Sequence, residues 1–460
     1  MLSKGILVVL LLMAGDLRLV NAVKNRDQDA VRSLLKERVD VNTPEADGAT
    51  PLAWAAHWND AGVADLLIVA GANVNAANAY GVTPLSLACT NGSAAMVQRL
   101  LRAGADVNAT LPTGETVLMT CARTGNVEAV TALLNRGANP DARDVERGQT
   151  ALMWAIAENH IDAARALVAK GADFRIRSKG GFTAFLFAAQ QGNVEIARFL
   201  LEAGTDINEA SPENGSALVL SSASGREAFA TFLLERGADA NASDIYGMTA
   251  LHYALGKGIL DLAGVEYFSY RQPPANMPSL LAALLARGAN PNAQVARDYP
   301  AYSRSPYRAL TSLVGATPLF LAAAASDIDA LRALLAAGAD PKVPTRDNAT
   351  SLMAAAGVAR VQERSPEEDR SALEAVRLLL ELGVDVNAVN ARGQTALHGA
   401  AFTGADAIVQ VLADRGAGLD VKDRSGKTPL AIADGEPVDG VFGVVNHKNT
   451  AALLRTLGAR

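Results

Sequence analysis

The sequence predicts an all-α solenoid of stacked antiparallel helix pairs, and three observations carry that prediction. A glycine-anchored segment recurs with starts at Gly48, Gly81, Gly114 and Gly148, spaced by 33, 33 and 34 residues. Nearly every copy opens on a Thr followed by Pro or Ala, the chemistry of a helix start, and most close on Gly-Ala-Asp or Gly-Ala-Asn, the chemistry of a helix stop. Between them, apolar residues fall at helical spacing, as in Val97, Leu100 and Leu101.

Each element of the repeating unit follows from its residues. At Thr50-Pro51, Thr83-Pro84, Thr150-Ala151, Thr317-Pro318 and Thr428-Pro429, the Thr hydroxyl supplies a capping oxygen. Proline fits the first helical turn, where its missing N–H is not needed. After a tight turn a second helix begins, and it ends where Gly71, Gly104, Gly137, Gly171 and Gly237 can take the left-handed conformation. A polar Val-Asn-Ala stretch then leads to the next glycine. Further copies start at Gly181, Gly215, Gly247, Gly315, Ala349, Gly393 and Gly426, and a partial copy precedes Gly48, making twelve. One pair of such short helices cannot bury its apolar face alone, so stability must come from stacking on neighbours.

The pattern G-x-TPL-x-x-A…G…LL-x-x-GADVN resembles the ankyrin repeat over residues 16 to 460. The resemblance implies an ankyrin-type helical solenoid with projecting finger loops, and a concave face of fingers and first helices that binds other macromolecules. Val117, Ala151, Ala184 and Ala250 stand where the family has proline, which weakens those helix starts without changing the fold. The expected organisation is a signal-like segment over 1–15, regular repeats one to seven over 16–246, an eighth with two insertions over 247–314, and repeats nine to twelve with a cap over 315–460. The eighth is expected to divide the array into a regular N-terminal half and an inserted half that flexes against it.

Composition narrows the function. A net charge of −6 with 42 basic and 48 acidic residues argues against affinity through phosphate neutralisation, so no nucleic-acid partner is expected. The run Ile6–Met13 is too short to span a bilayer but suits the core of an export signal. A periplasmic or secreted protein is therefore the expectation, with a cytoplasmic one as the alternative. The small-residue cleavage site at Val20-Asn21-Ala22 falls inside the first helix. Cys89 and Cys121 are the sole cysteines. With neighbouring helix axes roughly 8–10 Å apart, they are expected to remain free, buried thiols. No phosphate loop, nucleophile elbow or paired metal-binding histidines occur, so neither catalysis nor a cofactor is expected, and the chain reads as a monomeric binding scaffold.

Counting from the glycine separates core from surface. Trp54, Trp154 and Phe187 occupy the seventh position of their units and are expected to fill the seam between repeats. His252 and His398 match the His of the family's TPLH motif, and the resemblance implies that they satisfy backbone groups between repeats; neither has a second His or carboxylate at metal spacing. Trp58, at the eleventh position with Asn91, Thr124, Gln191, Lys257 and Thr403, ends a first helix on the face that the resemblance implies looks inward, and is a candidate binding anchor. With it we group Arg123, Arg147, Lys179, Gln190, Gln191 and Tyr246 as candidate partner-binding residues.

Three units are long, with insertions near 258–278 and 292–314 in the eighth and 357–370 in the tenth, and a further one in the twelfth. The helix-to-helix insertions fall in alternate units on one edge and are expected to stand about 20 Å apart. The tenth, opening a helix at Ser365-Pro366, is expected to be a solvated extension. In the eighth, Asp298 to Arg308 carries Tyr299, Tyr302, Arg304, Tyr307 and Arg308. Tyr and Arg offer contact area and cation–π stacking at low ordering cost, which suits recognition. Packing of these tyrosines on their own repeat is the competing reading. The alternative functions are nucleic-acid or small-molecule binding at these Tyr/Arg-rich insertions, where Glu266 and Asp298 are the acids on hand for any chemistry.

Overall fold

A computed structural model describes residues 16–263, 275–297, 312–358, 360, 364–437 and 446–460. It comprises two compact units, one ending at Thr205 and the other beginning at Asp206.

The first unit is six helix pairs: α1 (Arg18–Lys24) with α2 (Gln28–Lys36), α3 (Pro51–His57) with α4 (Ala61–Val69), α5 (Pro84–Thr90) with α6 (Ala94–Arg102), α7 (Val117–Arg123) with α8 (Val127–Asn135), α9 (Ala151–Ala157) with α10 (Ile161–Ala169), and α11 (Ala184–Gln191) with α12 (Val194–Glu202). First helices stack on first helices and second on second, giving two layers. The caps expected from sequence form: Thr50 accepts from the Ala53 N–H at 3.3 Å, and Thr83 and Ser86 form a reciprocal capping box. Val117, Ala151 and Ala184 start helices as proline does elsewhere. Second helices carry caps of their own, from Asp60, Ser93, Asn126 and Asn193. The seam is apolar throughout. Leu52, Leu85, Leu118, Leu152 and Phe185 on first helices and Leu67, Leu100, Leu133, Leu167 and Leu200 on second helices are all buried, each stabilising the stack by about 1.5–3 kcal/mol relative to exposure.

The second unit opens on a two-residue antiparallel pairing of β1 (Ala210–Ser211) with β2 (Gly215–Ser216). Six helical layers follow. They are α13 (Ala217–Ala223) with α14 (Glu227–Glu235), α15 (Ala250–Tyr253) and α16 (Gly256–Ala263) with α17 (Pro278–Ala286), α18 (Pro318–Ala324) with α19 (Ile328–Ala336), α20 (Ser351–Ala356) with α21 (Pro366–Glu381), α22 (Ala396–Thr403) with α23 (Asp406–Asp414), and α24 (Pro429–Ala433) with α25 (Lys448–Leu457). The eighth repeat's first helix is thus split in two. Gly258 in its second part lies against the α18 backbone, where an added Cβ would sit 2.1 Å from the Leu321 carbonyl oxygen.

A side-chain ladder runs through the turns after the second helices. In the first unit the Asn42, Asn75, Asn108 and Asp141 side-chain oxygens accept from the N–H groups of Asn73, Asp106, Asn139 and Asp173 at 2.7–2.9 Å. In the second, Asn208, Asn241, Asn292 and Asn387 accept from Asp239, Asn290, Asp340 and Gly418. His252 and His398 bridge repeats as expected. Each Nδ1 accepts from the N–H of the capping Thr249 or Thr395, and each Nε2 donates to the next repeat, at Ala316 and Lys427. Burial lowers both imidazoles, His252 to about 4.

Two expectations are corrected. Cys89 and Cys121 are joined in a disulfide, with Cα atoms 4.5 Å apart. The distance between helix axes was the wrong measure: residues facing each other across a helix pair approach by about 2.3 Å from each axis, and Ala88 and Ala122 beside them let α5 and α7 close. The tenth insertion is not merely solvated. Ser365 caps α21 in a capping box with Glu368 as expected, but Glu368 also receives Lys257 of the eighth unit at 2.7 Å and the buried Arg360 at 3.4 Å. Lys257 and Arg360 both reach the last carbonyls of α18, Ala325 and Ala324 at 3.5 Å, the negative end of that helix. The intervening ninth unit ends its first helix in Ala322–Ala325, small enough for both neighbours to close over it. Burial opposes the charge of Glu368, but hydrogen bonds from Lys257 and the Ser365 N–H, with Arg360 nearby, outweigh it and hold the carboxyl at about 2.

Candidate partner-binding surface

In the first unit, regular backbone links between fingers bring two of the candidate residues, Arg147 and Lys179, together. Adjacent fingers are joined tip to tip: the N–H groups of Ala79, Val145 and Lys179 donate to the carbonyls of Asp47, Thr113 and Arg147 at 2.7–2.8 Å. Arg147 and Lys179 therefore sit on neighbouring, hydrogen-bonded tips, and both are exposed. Gly148, at φ +66°, makes room for them: a Cβ there would lie 2.9 Å from an Arg143 guanidinium nitrogen and 3.2 Å from Lys179 Cγ. Arg143 donates to the Gly148 and Arg177 carbonyls, and Lys179 donates to that of Val145. Among the described residues, no carboxylate forms an ion pair with Arg143, Arg147, Arg175 or Lys179.

Aromatic side chains stand on the first helices of the same unit. The seventh-position aromatics of the first unit are half-buried rather than enclosed in the seam: Trp54, Trp154 and Phe187 all keep an open side. Their polar tips tie the first helix to the finger, Trp54 Nε1 donating to Glu45 at 2.8 Å and Thr120 Oγ1 to Glu115 at 2.8 Å. Trp154 breaks the pattern. The carboxylate of Asp144, in the finger before it, is occupied by the Arg147 and Gln149 N–H groups, and Trp154 Nε1 has no acceptor among the described residues. Arg123 lies over its ring at 5.2 Å and reaches Glu115 at 3.9 Å. Trp58 ends α3, is 37% exposed, stacks on Trp54 at 6.1 Å and is covered by Arg26 at 5.3 Å. It is thus both packed and open. Gln190 and Gln191 end α11, half-buried.

The structure adds Tyr80 and Val145, 69% and 63% exposed on finger tips, which the sequence reading passed over. Their signal was position: Tyr80 immediately precedes a unit's opening glycine, as Arg147 and Tyr246 do. Tyr246 lies in the second unit, where its carbonyl accepts from the Ala296 and Arg297 N–H groups. Tyr299, Tyr302, Arg304, Tyr307 and Arg308 lie outside the described residues. Among the described residues no cluster of metal-ligating side chains occurs, and no helix is long and apolar enough to cross a membrane.

With the helix pairs, fingers and caps in place, comparison with known families is decisive. A family model for ankyrin repeats in three copies matches residues 19–110, 96–178, 118–211, 185–268 and 368–441, and a single-repeat model matches 314–346. The chain belongs to the ankyrin repeat family. Ankyrin repeats generally mediate protein–protein interaction, so a protein partner is what this fold implies. The mouse B-cell lymphoma 3 protein homolog is 38% identical over 119 residues, 25% of each chain. An Arabidopsis thaliana serine/threonine-protein kinase 12 is 43% identical over 61 residues, 13% of each. The match thus spans a quarter or less of these relatives' length. The human ASB11 ankyrin repeat domain aligns over 48% of this chain and 98% of its own, at 27% identity and a TM-score of 0.44.

Proposed function

We propose that the chain is a non-catalytic ankyrin-repeat scaffold whose concave face reversibly binds a protein partner, and that on residues 16–205 the partner presents an acidic segment. The observation that carries this reading is the pair of linked finger tips where Arg143, Arg147 and Lys179 stand exposed, without ion pairs among the described residues, in a chain whose net charge is −6. Arg143 and Lys179, held by backbone carbonyls, keep their charge available to a partner carboxylate, as does the exposed Arg147, while Trp58, Trp154 and Tyr80 supply flat contact area. Fluorescence anisotropy with labelled poly-glutamate tests it. The R143E/R147E/K179E variant is expected to weaken binding at least about tenfold, equivalent to about 1.4 kcal/mol. Unchanged affinity would overturn the assignment. A labelled single-stranded oligonucleotide that bound more tightly, with a steep loss on adding salt, would favour the nucleic-acid reading.

Export is part of the proposal. Two observations support it: an apolar run at Ile6–Met13 suited to a signal, and a buried Cys89–Cys121 bond of a kind that persists in oxidising compartments. Alkylation of the protein in freshly lysed cells, before any reduction, should leave both cysteines unmodified after unfolding. Two labelled thiols would argue for the cytoplasmic alternative.

A further inference from the structure

The asparagine ladder of the second unit has one missing rung, and a cavity opens there. Asn241, Asn292 and Asn387 each accept from an N–H with Oδ1 and donate with Nδ2 to a carbonyl two residues earlier, at Gly288, Gly338 and Gly416. At the equivalent place in the ninth unit stands Lys342, which has no carboxamide. The groups it leaves are the Asp385 N–H and the Gly383 carbonyl, neither of which has a hydrogen-bond partner among the described residues. Beside them lies a cavity of about 290 Å³ whose lining includes Lys342, Pro344, Gly383, Val384, Asp385 and Val389.

The geometry of the missing rung specifies what fits. A carbonyl at position 383 and an N–H at position 385 are the two groups that a parallel β-bridge to residue 384 uses, one residue of the incoming strand donating to the first and accepting from the second. The asparagine carboxamide of the other rungs imitates that residue. Nearby, Lys342 is exposed, its Nζ 3.6 Å from where a Gly383 Cβ would sit, and it makes no ion pair among the described residues. Val384 is buried and Val389 is 48% exposed, forming an apolar wall.

We propose that this groove binds an extended peptide segment of a partner protein. The segment runs parallel to residues 383–385, one residue forms a β-bridge with Val384, a neighbouring carboxylate meets Lys342, and an aliphatic side chain rests on Pro344 and Val389. This site is separate from the basic finger edge of residues 16–205, and its failure leaves that reading untouched.

The test uses the full chain and a fluorescein-labelled peptide, Ser-Val-Asp-Val-Ser, with a copy N-methylated at the Val before the Asp to remove the N–H of the bridging residue. Lys342→Asn rebuilds the rung from within. It is expected to raise the melting temperature by about 1–3 °C and to weaken peptide binding at least about tenfold. Lys342→Ala leaves the rung open and removes the charge alone, and is expected to weaken binding about threefold to fivefold. N-methylation should match the loss seen with Lys342→Asn. The proposal is overturned if the wild-type chain shows no saturable binding, or if Lys342→Asn binds as well as wild type. It is also overturned if Lys342→Ala abolishes binding while N-methylation does nothing, which would mean charge attraction without a β-bridge.

Discussion

Residues 16–205 and 206–460 are built from the same helix pair repeated six times, yet they hold themselves together differently. The first unit keeps a near-constant repeat, carries its one covalent link between α5 and α7, and leaves Arg143, Arg147 and Lys179 on finger tips facing solvent. The second turns charge inward. Arg360 is buried, Lys257 and Arg360 converge on Glu368 and the end of α18, and His252 and His398 are sealed between repeats. Where the repeat is kept, Arg143 and Lys179 on the finger tips are held by backbone carbonyls rather than by carboxylates. Where insertions lengthen it, charged side chains are drawn into holding the stack.

The disulfide offers the largest test of this difference. Closing a loop between residues 32 apart restrains the unfolded chain by about 3–4 kcal/mol in the chain-entropy view. A Cys89→Ala/Cys121→Ala variant should lose about that much, and hydrogen exchange should place the loss within residues 16–205. Equal loss of protection in both units would mean that the two unfold as one body.

Acid should act on the other unit. His252 is held at about 4 by burial, against 6.5 when unfolded. Between those values the unfolded chain binds a proton that the folded one does not. Stability is therefore fully present above pH 6.5 and is lost as pH falls toward 4, by about 3 kcal/mol. His398 is lowered in the same direction, while Asp244, raised by burial, works the other way at the acid end. Melting of residues 206–460 should thus fall steeply between pH 6.5 and 4 while that of residues 16–205 changes less. His252→Gln should flatten the dependence, and a profile unchanged by that substitution would disprove the assignment.

How far these contrasts were legible in the sequence depends on the range of the interaction. The helix pairs, their Thr and Ser caps and the leucine seam were readable because each is written in residues that recur at the same place in every 33-residue unit, and the two bridging histidines because they stand where the family has the His of its TPLH motif. The disulfide was not, because two buried side chains on stacked helices approach far closer than the helix axes do. The Lys257–Glu368 contact joins residues 111 apart, and nothing local announces it; only the run of alanines in the ninth unit shows, afterwards, why the space is available. The asparagine ladder was visible as a repeated letter, but its role lay in the next repeat's backbone. Trp58 was legible as an exposed ring, whereas the neighbouring Trp54 and Arg26 that hold it belong to the packing.

Two substitutions of smaller effect bring the comparison to single side chains. Glu368→Gln keeps the shape of the capping box but removes the charge that Lys257 and Arg360 share. Arg360 is only 4% exposed, so water cannot take the place of the lost carboxylate, and a loss of about 2–3 kcal/mol is expected, measured by denaturant unfolding of residues 206–460. Arg147→Glu reverses a charge of the same kind on a finger tip, where it is exposed and without an ion pair among the described residues. Water solvates either charge there, and the finger link uses the Arg147 carbonyl, which the substitution leaves in place. Stability should change by no more than about 0.5 kcal/mol, while binding of an acidic probe falls. If Arg147→Glu instead destabilised residues 16–205 as strongly as Glu368→Gln destabilises residues 206–460, the finger cations would be structural, and a basic edge reserved for a partner would have to be abandoned.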